Sequence, residues 1–226
     1  MNPLQRMRLF QMASQALPIG GYSHSHGLES AIDSGVVHDA ASAERWILDV
    51  LKFSVNSYEI PCLLRMGSAW TAADLARVGA LNEEFLATRE SAELRSATVQ
   101  MGFSMRALLA ALPDLPPSFP ASLRGIEEPS LPCVWSGAAV AWELAPEDSA
   151  AAYLWSWAEN QVLVAVKSLP LGQSAGQRIL LRLGTEIAQL ATAEGRRRDD
   201  SVSNFAPALA ILASQHETQY SRLFRS

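Results

Sequence analysis

The spacing of apolar residues along the chain reads as helix from one end to the other. Leu94, Thr98, Met101, Met105, Leu108 and Leu112 recur at alternating steps of four and three, which places them on one stripe of a helix from about Arg89 to Ala111. Leu75, Val78, Leu81 and Phe85 mark the preceding helix, with Thr71 and Asp74 placed like a capping box at its start. Ile47, Val50, Leu51 and Ser54 share one face between Ser42 and Val55, and Leu180, Leu183, Ile187 and Leu190 mark a later helix. From Pro146 to Leu169 the apolar residues nearly surround the axis, which predicts a central, buried helix. Its start suits Pro146, since proline loses no needed hydrogen bond there, and Glu147 and Asp148 favour the positive end of the helix dipole. A last helix is expected from about Ala206 to Gln219.

Breaks are as legible as the helices. Pro18-Ile19-Gly20-Gly21 is expected to end the first helix, and the proline-rich stretch 113–120 to form a non-helical internal linker. Alternation with a period of two is sustained nowhere, and β-branched residues are too sparse for an ordinary sheet. The expectation is an all-α, single-domain irregular bundle of roughly eight to ten helices spanning 1–226.

Composition narrows the function classes. With 226 residues, 49% of them hydrophobic, the chain can bury a substantial core without a disulfide or metal staple. A net charge of -5 and a pI near 5.4 give no broad basic surface for nucleic acid. The one basic run, Arg196-Arg197-Arg198, is followed at once by Asp199-Asp200 and reads as a solvated loop between helices. Cys62 and Cys133 are far apart and form no C-x-x-C pair, so they read as reduced core cysteines. The N-terminal stretch lacks the apolar region of a signal peptide, and no stretch approaches the roughly 18 apolar residues that span a membrane. A cytoplasmic protein is expected.

Two segments invite chemistry. "KSLPLGQSAGQR", Lys167 to Arg178, has the ingredients of a phosphate-gripping loop in the wrong order. A Walker loop needs G-x-x-x-x-G-K-[ST], whereas three residues separate Gly172 from Gly176, Gln177 and Arg178 follow, and the lysine comes first. The segment reads instead as a turn between two helices: Lys167 complements the dipole at the end of the first, Ser174 caps the second, and Gly176 permits close approach of another backbone. Whether its polar residues satisfy one another or form a partner-binding surface stays open. The second segment, "GGYSHSHGLE", carries His24 and His26 with Glu29 three residues beyond. These could serve an all-α metal enzyme, or they could cap a helix beginning near Gly27; His38 and His216 are remote in sequence, so no third histidine is at hand.

Four stretches taken together resemble a known family. "ASQALPIGGYSHSHGLESAI", "RESAELRSATVQMG", "NQVLVAVKSLPLGQSAGQRIL" and "HETQYSRLFRS" occur in the order found in the UreF family of urease accessory proteins and frame almost the whole chain. The resemblance implies an all-helical homodimer without catalytic activity or cofactor of its own. It also implies partners: UreD (also called UreH), the GTPase UreG and apo-urease, in a complex through which nickel passes and in which GTP hydrolysis is regulated. Matching the family's motifs residue by residue points to Glu29, Lys167, Gln173, Gln177 and Arg178. It also points to a partner-binding tail at 221–226 with Arg222, Leu223, Phe224, Arg225 and Ser226. A helical adaptor unrelated to urease is the other reading that needs no catalysis.

Overall fold

The computed structural model describes residues 1–116, 118–194 and 202–226, and every regular element among them is helical. In chain order these are α1 (Pro3–Ala13), a 3-10 turn (Gly21–Ser23), α2 (Leu28–Asp33), α3 (Ala40–Val50), a π-helical segment (Leu51–Glu59) and α4 (Ile60–Thr71). Next come α5 (Leu75–Ala87), α6 (Ala92–Ala111), α7 (Ser118–Arg124), α8 (Leu131–Ala141), α9 (Pro146–Ser168), α10 (Gln173–Glu194) and α11 (Pro207–His216). The chain runs from Ala40 to Thr71 without leaving helical backbone, and with that run taken as one rod the described residues hold ten helices.

Local chemistry sets most of the starts. Asn2 and Gln5 form a reciprocal capping box on α1, with Pro3 at the first position. Asp39 accepts from the Ser42 amide at 2.7 Å to open α3, and Ser91 accepts from Leu94 at 3.1 Å to open α6. The expected stripes are buried: Leu94, Thr98, Met101 and Met105 on α6, Val78, Leu81 and Phe85 on α5, and Leu180, Leu183 and Ile187 on α10. α9 lies at the centre, against α1, α2, α3, α4, α8 and α10. Cys62 and Cys133 are free and buried, and burial raises their thiols to about 11 and about 12.

Several boundaries differ from those the sequence predicts, each for a local reason. The first helix stops at Ala13, before Pro18-Ile19-Gly20-Gly21 is reached, because Ser14 is already extended. Thr71 ends α4 rather than starting the next helix, and Asp74 alone caps α5 by accepting from the Arg77 amide at 2.9 Å. The proline-rich stretch is partly helical: α7 takes up Pro120 in its first turn, where no amide partner is lost. Ser174 lies inside α10, not at its cap. The close neighbours of Gly176 are side chains of α9 rather than backbone; a Cβ there would stand 2.9 Å from Val166 Cγ2. α11 is shorter at both ends than expected. The Arg196–Asp200 run lies outside the described residues.

The π-helical segment brings polar groups into the interior. Its wider turn carries Ser54, Asn56 and Ser57 inward, all buried. The chain after the last undescribed stretch is stitched to it: the Ser203 amide donates to Ser57 O at 3.1 Å, and Ser57 Oγ donates to Ser203 O at 2.9 Å.

Candidate functional site

The turn between α9 and α10 holds the first candidate residues. Lys167 occupies the last turn of α9, as its place in the sequence implied, and its side chain is exposed. A helix rather than a strand leads into the turn, so the strand-loop-helix frame of a phosphate loop is absent at this segment. Gln173, Gln177 and Arg178 are exposed on the first turns of α10. The ammonium of Lys167 stands 5.8 Å from the centre of the Phe224 ring, so the turn and the tail, remote in sequence, share one surface.

Glu29 anchors that tail. It sits in the first turn of α2 with only 6% exposure. One oxygen accepts from the Leu223 amide at 2.6 Å, and the other accepts from Phe224 at 3.1 Å and lies 3.0 Å from His216 Nε2. The opposite ring nitrogen of His216 is 2.6 Å from Glu93, whose second oxygen accepts from Arg222 Nη1 at 2.7 Å. Residues from α2, α6, α11 and the tail thus form one continuous polar network. Phe224 and Ser226 are buried, Leu223 is 74% exposed, and Arg222 and Arg225 face outward. The tail therefore presents Leu223 and its arginines, while Glu29, Phe224 and Ser226 are turned inward in this conformation.

The histidine pair is engaged elsewhere. The rings of His24 and His26 are stacked 6.2 Å apart. His24 Nδ1 meets Ser226 Oγ at 2.8 Å, and Trp157 Nε1 donates to His26 Nδ1 at 3.0 Å. Neither caps α2, whose N-cap is Gly27 in the left-handed region with no side-chain bond. With Glu29 committed to the tail, the three do not converge, and among the described residues no three His, Cys, Asp or Glu side chains are placed to hold a metal ion.

Burial, then the neighbouring His26 and Arg225, pulls His24 down to about 3; burial, then Arg89, pulls His26 down to about 4. Both are uncharged at neutral pH. The unfolded chain, with histidines near 6.5, binds more protons below that pH, so stability is full above about 6.5 and is lost as pH falls toward 4. Each histidine adds a slope approaching about 1.4 kcal/mol per pH unit. The melting temperature is expected to drop between pH 6.5 and 5, and His26→Phe to make that drop shallower; a flat profile over this range would contradict the burial of neutral imidazoles.

His26 also lines a cavity of about 80 Å³ with Leu17, Ile19, Met101, Leu131, Trp135 and Tyr153 on its apolar side. Its polar side is a buried group that sequence reading did not single out. Arg89 donates to Glu59 at 2.8 Å, Tyr153 donates to the other Glu59 oxygen at 2.7 Å, and the guanidinium lies 4.2 Å from the centre of the Phe85 ring. Burial, then Glu59, holds the Tyr153 phenol well above its usual range. Burial opposes the charge on Arg89, but Glu59 and Glu90 outweigh it. Glu59 reaches this place because the π-helical segment ends on it. Nothing in the spacing of Glu59, Arg89 and Tyr153 could have joined them beforehand.

Comparison with known proteins bears on the whole chain. A family model described as UreF matches residues 37–184. The chain is 52% identical over 224 residues to the urease accessory protein UreF of Dechloromonas aromatica (strain RCB), covering 99% of this chain and 98% of that one. It is 49% identical over 225 residues to the protein of the same name from Azoarcus sp. (strain BH72), covering 99% and 96%. Against that from Pseudomonas fluorescens (strain SBW25) it is 44% identical over 226 residues, covering the full length of both.

Proposed function

The chain belongs to the UreF family of urease accessory proteins, and from that premise we propose that it is a non-catalytic cytoplasmic adaptor that joins a UreD/UreH-like protein to a UreG-like GTPase while nickel is loaded into apo-urease. Nucleotide chemistry belongs to the GTPase; this chain presents the surface that recruits it and regulates hydrolysis. Nickel is cargo of the assembled complex, not a resident cofactor. Supporting this reading is one observation: Lys167 at the end of α9, the outward-facing Leu223 and the arginines of the tail share a surface whose foundation is the buried Glu29 network. Gln173, Gln177 and Arg178 extend that surface along α10. A stripe of Leu4, Met7 and Phe10, exposed by 63%, 52% and 60% on one side of α1, is the face on which a second copy would pair.

The test is co-purification of the full chain with its UreD and UreG homologues, with and without GTP and nickel. Lys167→Ala is expected to fold with little change, since an exposed substitution costs about 0.5 kcal/mol or less and the ring contact adds under about 1 kcal/mol. The same variant should lower urease activation and alter the GTPase rate of the assembled complex. Unchanged activation at an unchanged GTPase rate would remove Lys167 from the partner surface, and failure of the wild-type chain to co-purify with either homologue would overturn the adaptor reading.

A further inference from the structure

Three side chains that line the cavity have hydrogen-bonding capacity the protein does not use. Arg89 spends Nη1 on Glu59, but its Nε and Nη2 meet no partner in the protein, although the side chain is only 5% exposed. Asn160, equally buried, spends its amide nitrogen on His24 O at 2.9 Å and keeps Oδ1 unpartnered. Both oxygens of Glu90 are shielded from solvent and accept from no group of the protein. Glu59 is not available to help, because Arg89 and Tyr153 already occupy its two oxygens. Buried polar groups of folded proteins nearly always find partners, so unused N–H groups and unused acceptors around one cavity imply a molecule that joins them. The volume of about 80 Å³ is several times the roughly 10–15 Å³ that one water needs, which leaves room for a molecule of a few heavy atoms.

We propose that this cavity binds a small neutral amide, with the size and hydrogen-bonding pattern of urea or acetamide: its carbonyl oxygen accepts from Arg89 Nε and Nη2, and its N–H groups donate to Glu90 and to Asn160 Oδ1. The charges select this class. Arg89 feels both Glu59 and Glu90, and one guanidinium beside two carboxylates repels an anion. A simple cation would satisfy Glu90 but meet the like charge of Arg89 and leave its N–H groups unpaired. Among the described residues no three His, Cys, Asp or Glu side chains are placed to hold a metal ion. A zwitterion would have to shed the hydration of two full charges on entering a cavity walled by Met101, Leu131 and Trp135. A neutral amide brings an acceptor and donors together without that cost, and its flat shape suits a wall that also includes Tyr153 and Trp157.

Titration of the full chain with urea and with acetamide, far below denaturing concentrations and followed by the NMR signals of the indole N–H groups, tests it. The Trp157 indole, bonded to His26 on the cavity wall, is expected to shift saturably with either amide, while that of Trp70, which donates to Cys133 O and does not line the cavity, stays in place. Acetate and methylammonium, which carry one charge each, are expected to bind more weakly than the amides. Glu90→Ala is expected to weaken amide binding about tenfold or more, the loss of one charge-assisted hydrogen bond, and to fold normally by circular dichroism, since Glu90 bonds to nothing in the protein. Glu90→Gln retains an acceptor and should bind better than the alanine variant. Shifts that grow linearly and alike at every indole would mean that the cavity holds water alone and would overturn the proposal. Tighter binding of acetate or methylammonium would overturn the ligand class, and saturable binding indifferent to Glu90→Ala would overturn the site. The measurement needs no partner protein, so its failure leaves the adaptor role untouched.

Discussion

Replacing Glu29 by alanine is expected to cost about 3–5 kcal/mol of stability, because three buried hydrogen-bonding positions lose their acceptor or partner at about 1–3 kcal/mol each. The carboxylate is 6% exposed and has three commitments at once: the amides of Leu223 and Phe224 and the ring of His216, itself 1% exposed in its side chain. Alanine would leave both amides and the Nε2 side of the His216 ring without a partner, while Glu93 keeps the other ring nitrogen, and each buried unsatisfied group adds about 1–3 kcal/mol. Glu29→Gln keeps an acceptor oxygen for one of the amides and should cost clearly less. Urea denaturation of the two variants against wild type measures the difference. A loss below about 1 kcal/mol for Glu29→Ala would mean that the network is not closed in solution. The family resemblance placed Glu29 among partner-binding residues, and the glutamine variant separates the roles: normal stability with lost co-purification would assign a partner contact in addition to the internal one.

The network explains why helices were legible in the sequence while this site was not. A helix announces itself within a few turns, so the stripes on α5, α6 and α10 and the all-round apolar α9 could be read from neighbours three and four apart. α8 escaped because it is short and buried on every side; an apolar run without periodicity does not declare its structure. The continuation of α3 through a π-helical segment into α4 is legible to no simple period, since its residues advance by a wider turn. Glu29 and His216 are 187 positions apart, and Glu59 and Tyr153 are 94 apart. Such pairs are fixed by tertiary packing; the local sequence offered Glu29 only as a ligand beside His24 and His26, and the resemblance to a family marked it and the tail as partner-binding. Even then it marked residues without saying which face inward: Phe224 and Ser226 are buried and Leu223 is exposed, a distinction that depends on where the extended tail meets α2.

The second large effect concerns the packing that holds the cavity's far wall. Gly102 lies in α6 where the chain enters α8, and a Cβ there would overlap Pro129 O and stand 2.8 Å from Pro129 C and 2.9 Å from Ser130 C. These are backbone atoms, so no side-chain rotation relieves the clash. The segment itself is clamped: Asn82 on α5 donates to Glu128 O at 2.8 Å and accepts from the Ser130 amide at 2.9 Å, while Thr98 on α6 accepts from the Leu131 amide at 3.1 Å. Moving the chain away from α6 would break bonds on two helices and shift Leu131, which lines the cavity. Alanine is favoured over glycine by about 1 kcal/mol in a helix interior, but overpacking a rigid contact costs typically 1–3 kcal/mol and more where backbone must move. Gly102→Ala is therefore expected to lose at least about 3 kcal/mol, or to fail to fold. Gly79→Ala supplies the contrast: it sits within α5 with open space around its Cβ position, so only the helix preference remains, and a gain of roughly 0.5–1 kcal/mol is expected. Thermal and urea melts of the two variants decide the matter. Equal behaviour would mean that α6 and the entry to α8 do not approach as closely in solution as the backbone places them.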